Sequence, residues 1–148
     1  MNGTVITSAI CRKLHAIYPN ISIYREHIDD GFDEPSFFVW TSGINQDAAI
    51  HPRMFIRHKI EVSYFPNHSN NSMYEELLNI GLSLLESLSR IDVEIGTTTK
   101  PVFSINPGYS IIDDNFLQFS AEYLIEGVID DGSNVEFMGN IDSDIVVK

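Results

Sequence analysis

Arg53-Met54-Phe55-Ile56-Arg57-His58-Lys59-Ile60-Glu61-Val62-Ser63-Tyr64-Phe65 is the stretch that decides the fold. Ile56, His58, Ile60, Val62 and Tyr64 alternate with Arg57, Lys59, Glu61 and Ser63. A period of two over this length makes a strand with one dry face and one wet face. The dry face needs a layer packed on it, and the flanking segments offer two helices. Downstream, beyond a polar loop at 66–71, Ser72 and Glu75 have the spacing of a capping box, in which each side chain satisfies a free backbone N–H at a helix start. Leu77, Leu78, Gly81, Leu84, Leu85 and Leu88 mark the apolar stripe of that helix. Upstream, Ile6, Ala9, Ile10, Leu14 and Ile17 give an opening helix over 4–18, stopped by Pro19.

Working outward, 21–28 reads as a first strand and 29–35 as a connection dense in turn formers. Residues 36–41 (Ser-Phe-Phe-Val-Trp-Thr) suit a short central strand buried on both faces. The polar stretch 42–52, with Gly43 and Pro52, reads as a loop. Residues 91–95 and 101–105 alternate as short strands, Asn106-Pro107-Gly108 reads as a turn, and 109–113 with 116–125 form a closing hairpin. In that hairpin Leu117, Phe119, Ala121, Tyr123 and Ile125 share a face. The connections are too short for repeated parallel crossovers. The expectation is an α+β domain over 1–128, a mainly antiparallel sheet of four to six strands with two principal helices on one face. Residues 129–148 are expected to form an acidic, loosely held C-terminal tail.

Composition narrows the function. An apolar share of 43% in 148 residues supports a packed core. No run approaches the ~18 apolar residues of a membrane span, so no membrane role is expected. The start, Met1-Asn2-Gly3-Thr4-Val5-Ile6, lacks the basic region of a signal peptide, and the single Cys11 fits a reducing compartment. A cytoplasmic setting follows, in which the sequons at Asn2, Asn20, Asn67 and Asn70 have no meaning. The net charge of −12 disfavours nucleic acid as a ligand, since neutralising phosphates needs surplus Lys and Arg. After Lys100 nine acidic residues face Lys148 alone.

Reactive constellations are missing from the sequence. No Gly-x-Ser-x-Gly elbow occurs, and Gly96-Thr97-Thr98-Thr99-Lys100 lacks the Gly-Lys-Ser/Thr ending of a phosphate loop. His15, His27, His51, His58 and His68 are scattered without metal-ligand spacing, and the pairs Asp29-Asp30, Asp113-Asp114 and Asp130-Asp131 do not alternate as a calcium loop requires. No catalytic residue, cofactor or metal is therefore expected, and Cys11 reads as a small core filler. What does stand out is Arg53, Arg57 and Lys59, three of nine basic residues within seven positions on the wet strand face. Read simply, they keep an exposed strand soluble. Read functionally, they form a subunit contact that meets the acidic surface of an identical neighbour, as head-to-tail closure of a ring requires.

The order of motifs now becomes informative. Tyr18-Pro19-Asn20-Ile21-Ser22-Ile23-Tyr24 leads into Asp30-Gly31-Phe32-Asp33-Glu34-Pro35-Ser36-Phe37-Phe38-Val39. Ile60-Glu61-Val62-Ser63-Tyr64-Phe65-Pro66 follows, and then the leucine-rich helix. Over residues 7–126 these resemble small tail-terminator-like proteins of long-tailed phages and prophages of Gram-positive bacteria. The motif residues are structural: Gly31 permits a turn, Pro35 fixes strand entry, and the aromatics pack. The resemblance implies an assembly protein that rings the last disc of the tail tube, usually as six subunits, ends polymerisation and offers a surface for the neck of the head. It implies as partners the chain itself, the tail tube protein and a head-closure protein. It places the protein in the host cytoplasm during assembly and then at the head-proximal end of the tail in the virion. An acidic lumen would let DNA pass without adhering. The alternatives are a head-closure or neck adaptor, and a small ligand-binding module built on Phe37, Phe38 and Trp40.

Overall fold

A computed structural model describes residues 5–25, 31–50, 52–68, 72–129 and 135–137, with the backbone alone at 47–50, 127–129 and 135–137. The elements are α1 (Val5–Ile17), β1 (Ser22–Tyr24), β2 (Ser36–Ile50), β3 (Arg53–Phe65), α2 (Met73–Ser87), β4 (Arg90–Ile95), β5 (Thr98–Ile112), β6 (Phe116–Ile129) and β7 (Val135–Phe137). Six strands run in the order β1-β2-β3-β6-β5-β4, and the short β7 pairs with β6. Every pairing is antiparallel except that of β1 with β2, which is parallel.

β3 is the middle of this sheet, as its strict alternation requires. It pairs with β2 from Arg53 to Phe65 and with β6 from Arg53 to Tyr64. Register rows carry the dry face across three strands: Phe37–Tyr64–Leu117, Val39–Val62–Phe119 and Thr41–Ile60–Ala121. The buried residues of both helices (Ile6, Ile10, Leu14; Leu77, Leu84, Leu88) join the same core cluster as those rows. Ile91, Val93, Ile95 and Val102 close the cluster from β4 and β5. Tyr123 ties the layers together, its buried hydroxyl donating to the Leu88 carbonyl at the end of α2 (2.7 Å).

Four local expectations need correction. The segment 42–52, read as a loop, is strand through Ile50. Ser42, Ile44, Asn45 and Gln46 are all exposed, so no dry-wet pattern marks them, and among the described residues β3 alone pairs with this part of β2. Two bulges, at Thr41/Gly43 and Gln46/Ala48, absorb the irregularity. The expected turn at Asn106-Pro107-Gly108 is a bulge inside β5, with Asn106 at φ 51°. Proline cannot donate to a ladder and is tolerated at such a site. The strand serves two partners: 98–103 pair with β4, and 104–112 pair with β6 on either side of the bulge. The first strand covers Ser22–Tyr24 and bends at Arg25, and the rest of the expected strand, 26–28, lies outside the described residues. Ser72 takes the N-cap of α2, but its side chain makes no capping bond. Of the expected tail, Ile129 ends β6 and 135–137 form β7, and 130–134 and 138–148 lie outside the described residues.

Gly81 matters beyond its place in the leucine stripe. A Cβ there would lie 2.5 Å from Cε2 of Tyr109, so α2 meets β5 only because this position has no side chain. Gly81→Ala should lower stability by roughly 1–3 kcal/mol through overpacking, despite a helix-propensity gain of about 1 kcal/mol. With Tyr109→Ala in the background the same change should become neutral or stabilising. Leu84→Ala, at a fully buried position, should cost roughly 2–5 kcal/mol. Urea unfolding of the variants measures all three effects.

Candidate functional site

The face of the sheet opposite the helices has three zones set by register. At one end Tyr24, Phe32, Phe38, Phe65 and Phe116 form a second aromatic cluster. Phe32 meets Phe38 edge-on at 5.2 Å, and Phe65 stacks on Phe116 at 4.8 Å. Gly31 at φ 79° turns the chain that brings Phe32 over the sheet. The Tyr24 hydroxyl accepts a bond from the Asp33 N–H (3.1 Å), which pins the same turn. Phe37 points the other way, against Tyr18 and Tyr64. Phe37 and Phe38 are thus buried on opposite faces, each packed against neighbouring rings.

The middle zone is polar. Ser63 donates to Gln118 (2.6 Å). Glu61 stands in the next row, between Trp40 and Ser120. Burial pushes its carboxyl up from the usual range, and a hydrogen bond with Gln118 partly offsets the rise. Ser42, Lys59, Glu61, Asn106, Ser120 and Glu122 line a small cleft of about 160 Å³ beside it.

The third zone holds the basic stripe. Arg53, Arg57 and Lys59 all lie on this outer face, as alternation predicts, yet two of them are already matched within the chain. Arg57 hydrogen-bonds Glu122, with both side chains about four-fifths covered (20% and 24% exposed). Arg53, at 63% exposure, lies 3.0 Å from Glu126. Lys59 is exposed and shares a register row with Glu122 and Gly43. Sequence reading missed Glu122 and Glu126 as partners. Their signal was their alternation with Ala121, Tyr123 and Ile125, but the pairing of β3 with β6 joins segments some sixty residues apart. Among the described residues no three His, Cys, Asp or Glu gather as metal ligands, and no helix is long and apolar enough to cross a membrane.

On the dry face His58 is 1% exposed, and neither ring nitrogen has a hydrogen-bond partner among the described residues. Its register neighbours are Ile44 and Tyr123. Burial lowers its pKa below the ordinary 6.5, because a charged imidazole loses its water there. Burial likewise raises the Cys11 thiol, which leaves it an unreactive core residue.

The outer sheet face thus combines packed aromatics with ion pairs made within the chain. The phage tail terminator protein family matches residues 5–135, and the chain belongs to that family. It is a family of structural proteins of the phage tail, so this chain is a component of virion assembly. No curated protein matches the chain. Among the solved structures that match, one aligns with 86% of this chain and 96% of its own at 13% identity, with a TM-score of 0.37.

Two measurements check the site. Because the folded-state pKa of His58 lies below its unfolded value, its contribution is fully present above pH ~6.5. It is lost as pH falls toward the folded pKa, at up to about 1.4 kcal/mol per pH unit within that window. His58→Leu should abolish this part of the slope, read as the difference in urea midpoint between wild type and variant at pH 7.5, 6 and 5. Arg57→Ala should cost about 1–3 kcal/mol by leaving a largely covered Glu122 without its donor. Lys59→Ala should stay within about 0.5 kcal/mol of wild type. Equal effects of the two changes would mean that the Arg57–Glu122 pair contributes nothing.

Proposed function

We propose that this chain closes the head-proximal end of the tail tube as a ring, most simply of six copies. In that position it ends polymerisation of the tube and offers a surface to the neck proteins of the head. Family membership over residues 5–135 carries the reading. Supporting it, the described chemistry consists of surfaces rather than reactive groups, which is what control of length requires. In this reading the tail tube protein and a head-closure protein are the partners, assembly takes place in the host cytoplasm, and DNA crosses an acidic lumen that repels it. Arg53, Arg57 and Lys59 contribute to the contact between copies. Arg57 acts indirectly, by fixing Glu122, whereas Lys59 and the exposed side of Arg53 face the neighbour.

The test combines genetics with charge reversal. Particles made without the protein should carry tails of uncontrolled length that do not join heads. Tails of fixed length joined to heads in its absence would defeat the terminator reading. Binding of the purified protein to heads but not to tube ends would favour the neck-adaptor alternative. Lys59→Glu combined with Arg53→Glu should leave the fold intact, because an exposed ion pair is worth only about 0–1 kcal/mol. It should weaken assembly, since like charges would then face each other. Salt should weaken the wild-type assembly as well. Normal assembly of the double variant, followed by light scattering and electron microscopy, would take the stripe out of the interface.

A further inference from the structure

The two edges of the sheet are treated differently. At β4 the edge is blocked by α1: Lys13 Nζ donates to the Arg90 carbonyl (2.5 Å) and Arg12 Nη2 to the Asp92 carbonyl (3.3 Å). Side chains that occupy edge carbonyls keep another strand from pairing there. The β2 edge has no such guard. β1 covers it only at Ser36, Phe37 and Phe38, and beyond Phe38 no strand among the described residues pairs with β2 on the side away from β3. Residues 42–50 contain no Lys, Arg or Pro, and the only charged residue among them is Asp47, ahead of Ala48–Ile50. Two bulges interrupt the edge, but Ala48, Ala49 and Ile50 lie beyond the second and pair regularly with β3.

At this end of the sheet the opposite edge, among the described residues, is β7. One register row runs Ala49–Met54–Gly127–Phe137, and the next runs Ile50–Arg53–Val128–Glu136. The ribbon is therefore β2-β3-β6-β7, with β2 and β7 as two unlike edges at the same level. Successive antiparallel pairings make β2 and β7 run in opposite directions. Head-to-tail packing of copies about one axis would thus bring β7 of one copy beside β2 of the next in antiparallel sense. Closing a sheet on itself removes its edges, and heterologous contacts that close give rings. Charge agrees: the chain around β7 carries Asp130, Asp131 and Glu136, while the exposed Arg53 stands one strand in from the β2 edge.

We infer that the open edge of β2 at Ala48–Ile50 receives β7, Val135–Phe137, of a second copy of this chain, so that one sheet continues from copy to copy. The inference rests on the ring reading above and specifies the contact by which copies join. It also gives the three residues of β7 a second partner.

Cross-linking tests it. Ala49 and Phe137 of one chain are three strand spacings apart, about 14 Å, beyond the ~7 Å between Cα atoms that a disulfide spans. A link between Ala49→Cys and Phe137→Cys must therefore join two copies. Chains bearing one change each, tagged differently, are mixed at assembling concentration and oxidised; the buried Cys11 stays in place. The expected result is a mixed dimer that forms roughly a hundredfold faster than with a control pair of Tyr74→Cys and Phe137→Cys, because adjacency raises effective concentration from micromolar toward millimolar. Hydrogen exchange on the unaltered protein gives an independent reading, with amides of 43–50 slowing on assembly. Oligomers with neither the link nor the protection would overturn the edge pairing and leave the ring reading standing. A wild type that stays monomeric both in solution and on tube ends would overturn the ring reading, and the edge pairing with it.

Discussion

Everything in this structure depends on β3 being hydrogen-bonded along both sides. A thirteen-residue strand paired with β2 and β6 over nearly its whole length fixes which residues of three strands face the same way. One residue of slip would turn Ile60, Val62 and Tyr64 to solvent and Lys59 and Glu61 to the core. The cost of burying those charges holds the register as firmly as the gain from burying the apolar rows. The two faces are thus consequences of one alignment. The dry face gathers both helices, and the wet face sets Arg57 against Glu122 and Arg53 against Glu126.

From that centre the sheet has to curl. β5 is the corner: it passes from β4 to β6 between Phe103 and Ser104, and a bulge at Ile105/Gly108 follows inside its pairing with β6. β4 then carries Ile91, Val93 and Ile95 into the core, and α1 locks the new edge through Arg12 and Lys13. The absence of a side chain at Gly81 belongs to the same arrangement, because α2 can approach the curled strand only where Tyr109 lies against bare backbone.

What the sequence made legible follows from this geometry. Where a segment is dry on one face and wet on the other, as in β3, β6 and α1, residue pattern alone placed it. Where a strand is exposed on both faces, as in β2 at Ile44, Asn45 and Gln46, periodicity carries no signal, and pairing with β3 does the work instead. Pro107 misled for a related reason. Its missing donor argues for a turn as readily as for a bulge, and only the partner strands on either side distinguish the two. Of the basic stripe, the positions and the outward direction were readable. The acids that answer it were not, because they lie in β6, far away in sequence. The family resemblance worked where local pattern failed, since the Gly31-Phe32 turn and the Phe37-Phe38 pair are two parts of one packing arrangement: one ring on each face and Phe32 laid over the outer one.

The distribution of cations bears on how such a chain can associate at all. Of the nine basic residues, Arg12 and Lys13 hold backbone carbonyls of β4, Arg53 and Arg57 hold β6 carboxylates, and Arg90 lies 3.3 Å from Asp92. Most positive charge is therefore spent on internal geometry, and the net of −12 is carried by acids not matched in this way. Copies of so acidic a chain repel each other at long range, over about 8 Å of screening at physiological salt. Contact between them then requires interactions that charge does not oppose: apolar burial, backbone hydrogen bonds at an open edge, or the few cations left facing outward. In the ring proposed above, a closed arrangement that satisfies every such contact at once is what outweighs the repulsion.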